Sequence, residues 1–337
     1  MTVTPHILVV GGAGYIGSQM VKHLLNNGCR VTTFDNLSTG HRNAVLGGTL
    51  VVEDLANAGA LDALFRNDHF DAVMHFASFI QVGESVVDPA KYYANNVANT
   101  LNLLNAMVAH GVQRFIFSST AAVYGEPQYN PIDESHPKEP ISPYGRSKWM
   151  VEQFLQDYAR AYGLRFIALR YFNAAGADPD GQLGERHDPE THLIPLVLQA
   201  ASNRRPHISV FGRDYETPDG TCIRDYIHVV DLCEAHWLAL GALLAGSPSA
   251  VYNLGNGQGF SVQQVINAAR EVTGRDITVV DAPRREGDPA RLVSDATQAL
   301  RALGWQPTRF DLNTIIEDAW RWESKTCRAI QKELHPT

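Results

Sequence analysis

Four cysteines, Cys29, Cys222, Cys233 and Cys327, stand far apart in the 337 residues, and none forms a C-x-x-C pair. That spacing argues against a disulfide framework and against a thiolate zinc site, and it fits reduced thiols in the cytoplasm. No apolar run reaches the ~18 residues that a membrane span needs. The first apolar run, His6-Ile7-Leu8-Val9-Val10, has no basic stretch before it and no cleavage site after it, so no signal peptide is expected. Positive charge is also short: 28 Lys+Arg face 36 Asp+Glu, a formal net charge of −8. Nucleic acid needs a basic face, so it is a poor candidate partner. Internal repeats and low-complexity tracts are absent. What is present is globular: 45% hydrophobic and 19% charged residues, in a length that suggests about two domains.

Short Val/Ile-rich runs alternate with longer amphipathic segments. Strands are predicted at Ile7–Val10, Arg30–Phe34, Thr49–Val52, Ala72–Phe76, Arg114–Ser118 and Arg165–Tyr171. Helices are predicted near Ile16–Asn27, Gly59–Asn67, Pro89–His110 and Pro143–Tyr162. Several strands are continuously apolar, as in a parallel sheet covered on both faces. The βαβαβ order predicts an α/β fold with a doubly wound, Rossmann-type parallel sheet. Residues 1–173 read as this dinucleotide-binding domain, and 174–337 as a smaller α/β substrate-binding domain. The boundary is soft, because segments near 222–250 are candidates to return to the first domain. Ala174–Pro189 reads as a loop. Further helices are expected near His192–Ser202, Val229–Leu244, Val262–Thr273 and Leu312–Ile330, with strands near Ile208–Phe211, Val251–Leu254 and Ile277–Val280.

The first strand runs into Gly11-Gly12-Ala13-Gly14-Tyr15-Ile16-Gly17. Glycines let a backbone turn tightly and approach a pyrophosphate, while a helix N-terminus supplies N–H groups and positive potential. The second strand ends in Asp35, followed by Asn36. A carboxylate there accepts hydrogen bonds from ribose hydroxyls and repels a 2′-phosphate, which favours NAD over NADP. Asp54-Leu55 reads either as an adenine contact or as a helix cap. Phe76-Ala77-Ser78 closes the fourth strand, at the sheet edge where such folds bind ligands. His75 reads as a core residue.

Tyr144 and Lys148 form the only Tyr-x-x-x-Lys in the chain. Ser142 suits the N-cap and Pro143 the first turn, which would stack Tyr144 and Lys148 one turn apart. Taken alone this is as readily a surface pair. Beside a dinucleotide fold it suggests a general base: a helix N-terminus, the Lys148 ammonium and an oxidised nicotinamide would all favour the phenolate. The fifth strand ends in Ser118-Ser119-Thr120, whose hydroxyls could share the proton.

These motifs resemble the extended short-chain dehydrogenase/reductase family over nearly the whole chain. The likeness narrows to its branch that epimerises UDP-sugars at C4. It rests on Gly11–Gly17 with Asp35-Asn36, on Val82–Ser85, Asn95-Asn96-Val97, Phe117–Gly125, Tyr144–Lys148 and Arg170–Asn173, and on Asp219–His228, Tyr252–Gly255 and Arg284–Asp288. The resemblance implies reversible epimerisation of UDP-galactose and UDP-glucose through a 4-keto sugar, with tightly bound NAD and no net redox. Tyr144 would be the catalytic base, Lys148 its partner and nicotinamide-ribose ligand, and Thr120 the assisting hydroxyl. Gly11, Gly14, Tyr15, Ile16, Gly17, Asp35, Asn36, Asp54, Leu55, Phe76, Ala77, Ser78, Asn95, Ser118 and Phe172 would line the NAD site with Tyr144 and Lys148. Asn173, His192, Leu193, Arg224, Arg285, Asp288 and Leu292 would join Thr120 and Tyr144 around the UDP-sugar. Arginine suits a diphosphate by its permanent charge and bidentate geometry. Counting from Asp288 puts Leu292 where the family sets pocket size, between a Tyr that excludes N-acetyl groups and a small residue that admits them. The chain departs from the family at Ile80, where many members carry lysine. A homodimer through Pro89–His110 and Pro143–Tyr162 is implied as well.

Two rivals share the fold. A 4,6-dehydratase or decarboxylase would need an acid/base after Thr120, where Ala121 and Ala122 stand. A non-catalytic NAD-sensing regulator would not need both Tyr144 and Lys148. No metal is expected. Asp178-Pro179-Asp180-Gly181 is too short of ligands for calcium. His187 and His192 are five apart and off one helical face, against a zinc pair. Asn36-Leu37-Ser38 matches a glycosylation acceptor that a cytoplasmic chain would not present.

Overall fold

The computed structural model describes residues 4–285 and 287–334; Glu286, within the Arg284–Asp288 stretch, lies outside the described residues. Six strands come in the expected order: β1 (His6–Val10), β2 (Arg30–Asp35), β3 (Thr49–Val52), β4 (Ala72–His75), β5 (Arg114–Thr120) and β6 (Arg165–Tyr171). With Ala250–Leu254 they form a seven-stranded sheet, ordered Ala250–Leu254, β6, β5, β4, β1, β2, β3. All its pairings are parallel. Strand order therefore reverses between β1 and β4, which opens a crevice at their C-terminal ends.

The burial of β1 explains its composition. Side chains alternate across a strand, so Ile7 and Val9 enter one core with Met20, Val21 and Leu24 of helix α1 (Tyr15–Asn26). Leu8 and Val10 enter the other, with Leu103, Leu104, Val151 and Leu155. Each fully buried aliphatic side chain contributes roughly 1.5–3 kcal/mol. A polar residue in the middle of this strand would face one core or the other.

The chain after Asn173 builds a smaller layer. Helices Leu193–Ala201, Val262–Thr273 and Leu312–Leu334 share a third core, which includes Ile194, Val265 and Ile315. Ser261 and Gln264 close a reciprocal capping box at the start of Val262–Thr273. Ile208–Phe211 pairs in parallel with Val279–Ala282. Part of the later chain returns to the large sheet: Ala250–Leu254 pairs with β6, and Leu232, Leu240 and Leu243 of helix Val229–Leu244 join the α1 core.

Several elements differ from the sequence reading. The expected Pro89–His110 helix is three pieces: Pro89–Tyr93, a π-helical stretch Ala94–Ala98, and Asn99–Ala109. Within the π stretch, Asn96 turns its amide on to Phe79, accepting from its N–H at 2.9 Å and donating to its carbonyl at 3.0 Å. Asn173–Ala175, placed in or beside a loop, is a strand paired with Tyr226–His228. The strand expected at Ile277–Val280 starts later, at Val279. Helices Val82–Val87 and Thr297–Leu303 were not anticipated; six and seven residues give too little periodicity to read.

Candidate active site

The glycine turn sits at the β1–β4 crevice. Gly11 has a φ of 80°, and a Cβ there would lie 2.4 Å from the Ala77 backbone nitrogen. A Cβ on Gly17 would lie 2.1 Å from the Gly11 carbonyl oxygen. Both positions exclude side chains and leave backbone facing the crevice. Phe76 and Ala77 N–H groups donate to the Val10 carbonyl at 2.7 and 3.1 Å, closing the far wall. Asp35 ends β2 with its carboxylate turned to the turn itself: Oδ2 accepts from Ala13 N–H at 2.9 Å and Oδ1 from Leu37 N–H at 2.8 Å. Each oxygen keeps a second lone pair for a hydroxyl. Asn36 donates to Asp54 at 2.6 Å, so the ends of β2 and β3 are joined. Of the two readings of Asp54, the helix cap fails, because Asn57 caps Ala58–Asn67. Leu55 is buried in the second core. The residues present fit a dinucleotide: a close-approach glycine turn at a helix N-terminus, and a carboxylate at the end of the second strand.

Tyr15 opens α1, and its hydroxyl donates to the Gly176 carbonyl at 2.7 Å, so this end of the crevice is tied to the second layer. Asn95 lies in the π stretch and donates to Asn96 at 2.9 Å. Asn96 in turn donates to Ser147 Oγ at 3.1 Å, on the helix that carries Tyr144. Such π stretches recur at functional sites. Ile80, half-buried, adjoins the Phe79 backbone that Asn96 holds.

The Tyr144 helix spans Pro143–Tyr162, with Ser142 as N-cap accepting from Gly145 N–H at 3.1 Å. It docks closely on the turn after β5: a Cβ on Gly145 would lie 2.4 Å from the Ala122 carbonyl oxygen. Tyr144 and Lys148 do share one face, with the Lys148 Nζ 6.0 Å from the Tyr144 ring centre. The Tyr144 hydroxyl faces Thr120, whose Oγ1 accepts from Ala122 N–H at 3.1 Å. Lys148 Nζ donates to the Ser118 carbonyl at 2.8 Å. Ser118 Oγ bonds the Tyr171 hydroxyl.

The electrostatics revise the expectation of a depressed phenol. In the cofactor-free chain, burial pushes the Tyr144 phenol up, and the Thr120 hydrogen bond opposes this. Burial also pushes the Lys148 ammonium down to about 7, against the pull of Glu152. A cation at this place is therefore costly. The unfolded chain binds the proton up to about pH 10.5 and the folded chain only below about 7. Stability is thus lost as pH falls through that window, and the whole cost is present below it. Lys148→Met is expected to raise the unfolding midpoint of the cofactor-free protein by about 2–5 °C at pH 6 to 7. Scanning calorimetry against pH should show the gain vanish above the unfolded lysine pKa.

Sequence reasoning missed the network behind this pair. Glu152, one turn after Lys148, is fully buried and accepts from Arg170 Nε at 2.9 Å, Arg170 Nη2 at 2.5 Å and Ser119 Oγ at 2.5 Å. Arg170 also donates to the Tyr124 hydroxyl at 2.9 Å, and Tyr124 donates to Asn253 at 2.5 Å. The i, i+4 spacing from Lys148 to Glu152 was a usable signal; the Arg170 partner on β6 was not.

The expected substrate residues fall into three places. Leu292 lies opposite Arg224 in a short parallel pairing, and it joins Phe172, Val123 and Tyr124 in a small apolar cluster beside the Tyr144 helix. Asn173 donates its amide to the Asp225 carbonyl at 2.9 Å. Arg224 pairs with Asp288, while Arg285 stacks 4.0 Å from the Phe211 ring centre. His192 stands at the N-cap position of the helix that Leu193 begins, without a side-chain cap bond. Its ring turns to Glu185, with Nδ1 2.6 Å from Oε1. The two histidines that helical spacing sets apart come together in the structure. His187 and His192 lie in a loop, not on a helix, and their ring centres are 5.3 Å apart. Burial favours neutral rings, yet the Glu185 and Glu190 carboxylates outweigh it and push His187 up to about 9 and His192 up to about 10. The Asp178–Asp180 pair holds Lys22 of α1, at 2.7 and 2.9 Å.

Comparison with known proteins agrees with this geometry. A family model described as the NAD dependent epimerase/dehydratase family matches residues 7–255. The UDP-glucose 4-epimerase of Halalkalibacterium halodurans is 50% identical over 319 residues, 95% of this chain and 96% of that protein. A crystal structure of the Brucella ovis UDP-glucose 4-epimerase in complex with NAD superposes with a TM-score of 0.92 at 49% identity, covering 94% of this chain and 98% of that one. The Bifidobacterium longum UDP-glucose 4-epimerase in complex with NAD+ and UDP gives a TM-score of 0.89 at 37% identity, covering 95% and 98%. With the glycine crevice and the Tyr144–Lys148 pair in place, the chain belongs to the NAD dependent epimerase/dehydratase family.

Proposed function

We propose that this protein interconverts UDP-galactose and UDP-glucose by inverting C4 of the sugar. The observation that carries the reading is the Tyr144–Thr120–Lys148 group beside the dinucleotide crevice, in a chain 50% identical over 95% of its length to a UDP-glucose 4-epimerase. NAD, when bound in the crevice, supplies the acceptor and donor of the C4 hydride. Tyr144 takes the proton of the C4 hydroxyl and later returns it. Thr120 holds the phenol in line and offers the proton a second oxygen. Lys148, fixed by the Ser118 carbonyl, keeps positive charge under the phenol and reaches the nicotinamide ribose. Gly11, Gly14, Tyr15, Ile16, Gly17, Asp35, Asn36, Asp54, Leu55, Phe76, Ala77, Ser78, Asn95, Ser118 and Phe172 hold the cofactor. Asn173, His192, Leu193, Arg224, Arg285 and Asp288 hold the UDP portion, and Leu292 borders the sugar. The 4-keto sugar must turn in this pocket and present its other face. Ala121 and Ala122 form a short turn after Thr120 and carry no acid, which disfavours elimination.

The reading includes a homodimer formed by the faces of Pro89–Tyr93, Asn99–Ala109 and Pro143–Tyr162; the exposed Val86 and Val87 lie on the neighbouring Val82–Val87 helix. It also places the chain in the cytoplasm, supported by four free cysteines. Among the described residues no helix is long and apolar enough to cross a membrane.

The direct test incubates the purified protein with UDP-galactose without added NAD and measures UDP-glucose. Conversion is expected; none, even with NAD added, would sink the reading and turn attention to an NAD-sensing role. Pocket size gives a second test. Leu292→Ser is expected to raise the turnover ratio of N-acetylated to plain UDP-hexose about tenfold, and Leu292→Tyr to lower it similarly, the scale of one or two methylenes in a pocket. Equal ratios in both variants would remove Leu292 from the sugar site.

A further inference from the structure

One cluster lies outside the proton and hydride chemistry at C4, and only its His192 is shared with the proposed UDP site. Glu185, His187, Glu190 and His192 converge from a single loop, with one ligand atom of each within 4.8 Å of all the others. Glu185 Oε1 lies 3.2 Å from His187 Nδ1 and 2.6 Å from His192 Nδ1. Glu190 lies 3.6 Å from His187 Nδ1 through Oε2, and 3.5 Å from His192 Nδ1 through Oε1. Metal–ligand bonds of about 2.0–2.1 Å make the edge of a tetrahedron about 3.3 Å. The three separations that join the two Nδ1 atoms to Glu185 Oε1 and Glu190 Oε2, 2.6, 3.2 and 3.6 Å, fall on both sides of that length.

A second observation points to a ligand. Glu185 Oε1, His187 Nδ1 and His192 Nδ1 are buried and none has a hydrogen-bond partner of acceptable geometry. The side chains of Glu185 and Glu190 are each 6% exposed. Buried polar atoms are rarely left so, and here the three face one another. The loop is held in shape from outside. Trp322 donates to the Glu185 carbonyl at 3.0 Å, Gln81 to the Pro189 carbonyl at 3.4 Å, and the Thr191 and His192 N–H groups to Glu190 Oε1 at 2.7 and 2.9 Å. Glu190 Oε2 is left to face His187.

We propose that Glu185, His187, Glu190 and His192 bind one divalent transition-metal ion of the zinc type, through both Nδ1 atoms, Glu185 Oε1 and Glu190 Oε2. Two imidazoles exclude calcium and magnesium, which take oxygen ligands. Two carboxylates balance the charge of a divalent ion when both rings are neutral. Four protein ligands close the sphere, so the ion is structural. It staples the loop to the N-terminus of Leu193–Ala201 and lies beside Tyr15, whose ring meets His187 edge-on with centres 6.4 Å apart. The ion would thus fix the junction of cofactor crevice and second layer.

The test uses the untagged full-length protein, stripped with a chelator and titrated with Co2+. One Co2+ per chain is expected, with the intense visible absorption of tetrahedral cobalt, and Zn2+ should displace it where Mg2+ does not. Zn2+ should raise the unfolding midpoint of the wild type but not of His187→Ala or Glu185→Gln. These readouts do not depend on sugar turnover, so they stand or fall apart from the proposed activity. Absence of stoichiometric binding in the wild type would overturn the proposal. So would the weak absorption of octahedral cobalt, or binding that survives both substitutions.

Discussion

Tyr144→Phe should lower kcat for UDP-galactose by about 10²- to 10⁴-fold, the usual worth of a positioned acid/base. The substitution removes one oxygen and keeps the ring in place. Tyr144 is half-buried in the first turn after the Ser142 cap, while Pro143, Gly145 and Ser147 around it are buried, so the helix should hold its position. Circular dichroism should be unchanged, and KM should move far less than kcat, because the lost interaction belongs to the transition state. Thr120 divides the same proton. Thr120→Ser keeps the oxygen and should retain most activity, while Thr120→Val should lose about tenfold or more. A Tyr144→Phe enzyme within a few-fold of wild type would assign the proton transfer to another group.

The phenol also shows how far sequence alone carries. Its partner at four residues, the Ser142 cap and the β5 hydroxyls were all readable, because capping and helical spacing are local. The sheet was readable for a similar reason: β1 is apolar on both faces, and only a doubly covered parallel strand needs that. What could not be read depends on where the chain folds back. Lys148, on its helix, hydrogen-bonds the Ser118 carbonyl of β5, and burial there reverses the direction expected for the Tyr144 phenol and lowers the Lys148 ammonium. Ala250–Leu254 enters the large sheet beside β6, far from it in sequence. The two histidines looked unrelated because a helical period was applied to a loop. The π stretch at Ala94–Ala98 looks like plain helix in sequence, since the Asn96–Phe79 contact that accompanies it is tertiary.

Glu152→Gln should be the most destabilising of these substitutions, by about 3–5 kcal/mol. The carboxylate is fully buried, takes two bonds from Arg170 and one from Ser119, and opposes the loss of the Lys148 proton. Glutamine keeps the shape but strands the Arg170 guanidinium among Tyr124, Trp149 and Ser119 without a counter-ion. Arg170→Met alone strands the opposite charge and should cost a similar amount. The double variant Glu152→Gln with Arg170→Met leaves neither charge, and should unfold much closer to wild type than the two single losses combined. Urea unfolding of the four proteins measures this cycle; additive losses would show that the pair is not coupled. The same cycle reaches the active site. Without Glu152 the Lys148 ammonium is held only by the Ser118 carbonyl, and its pKa falls further below that of the wild type. If Lys148 works as a cation, the alkaline fall in kcat/KM should begin at lower pH in the double variant, even where stability has been recovered. A pH profile that superposes on the wild type would make Glu152 a brace for the helix and nothing more.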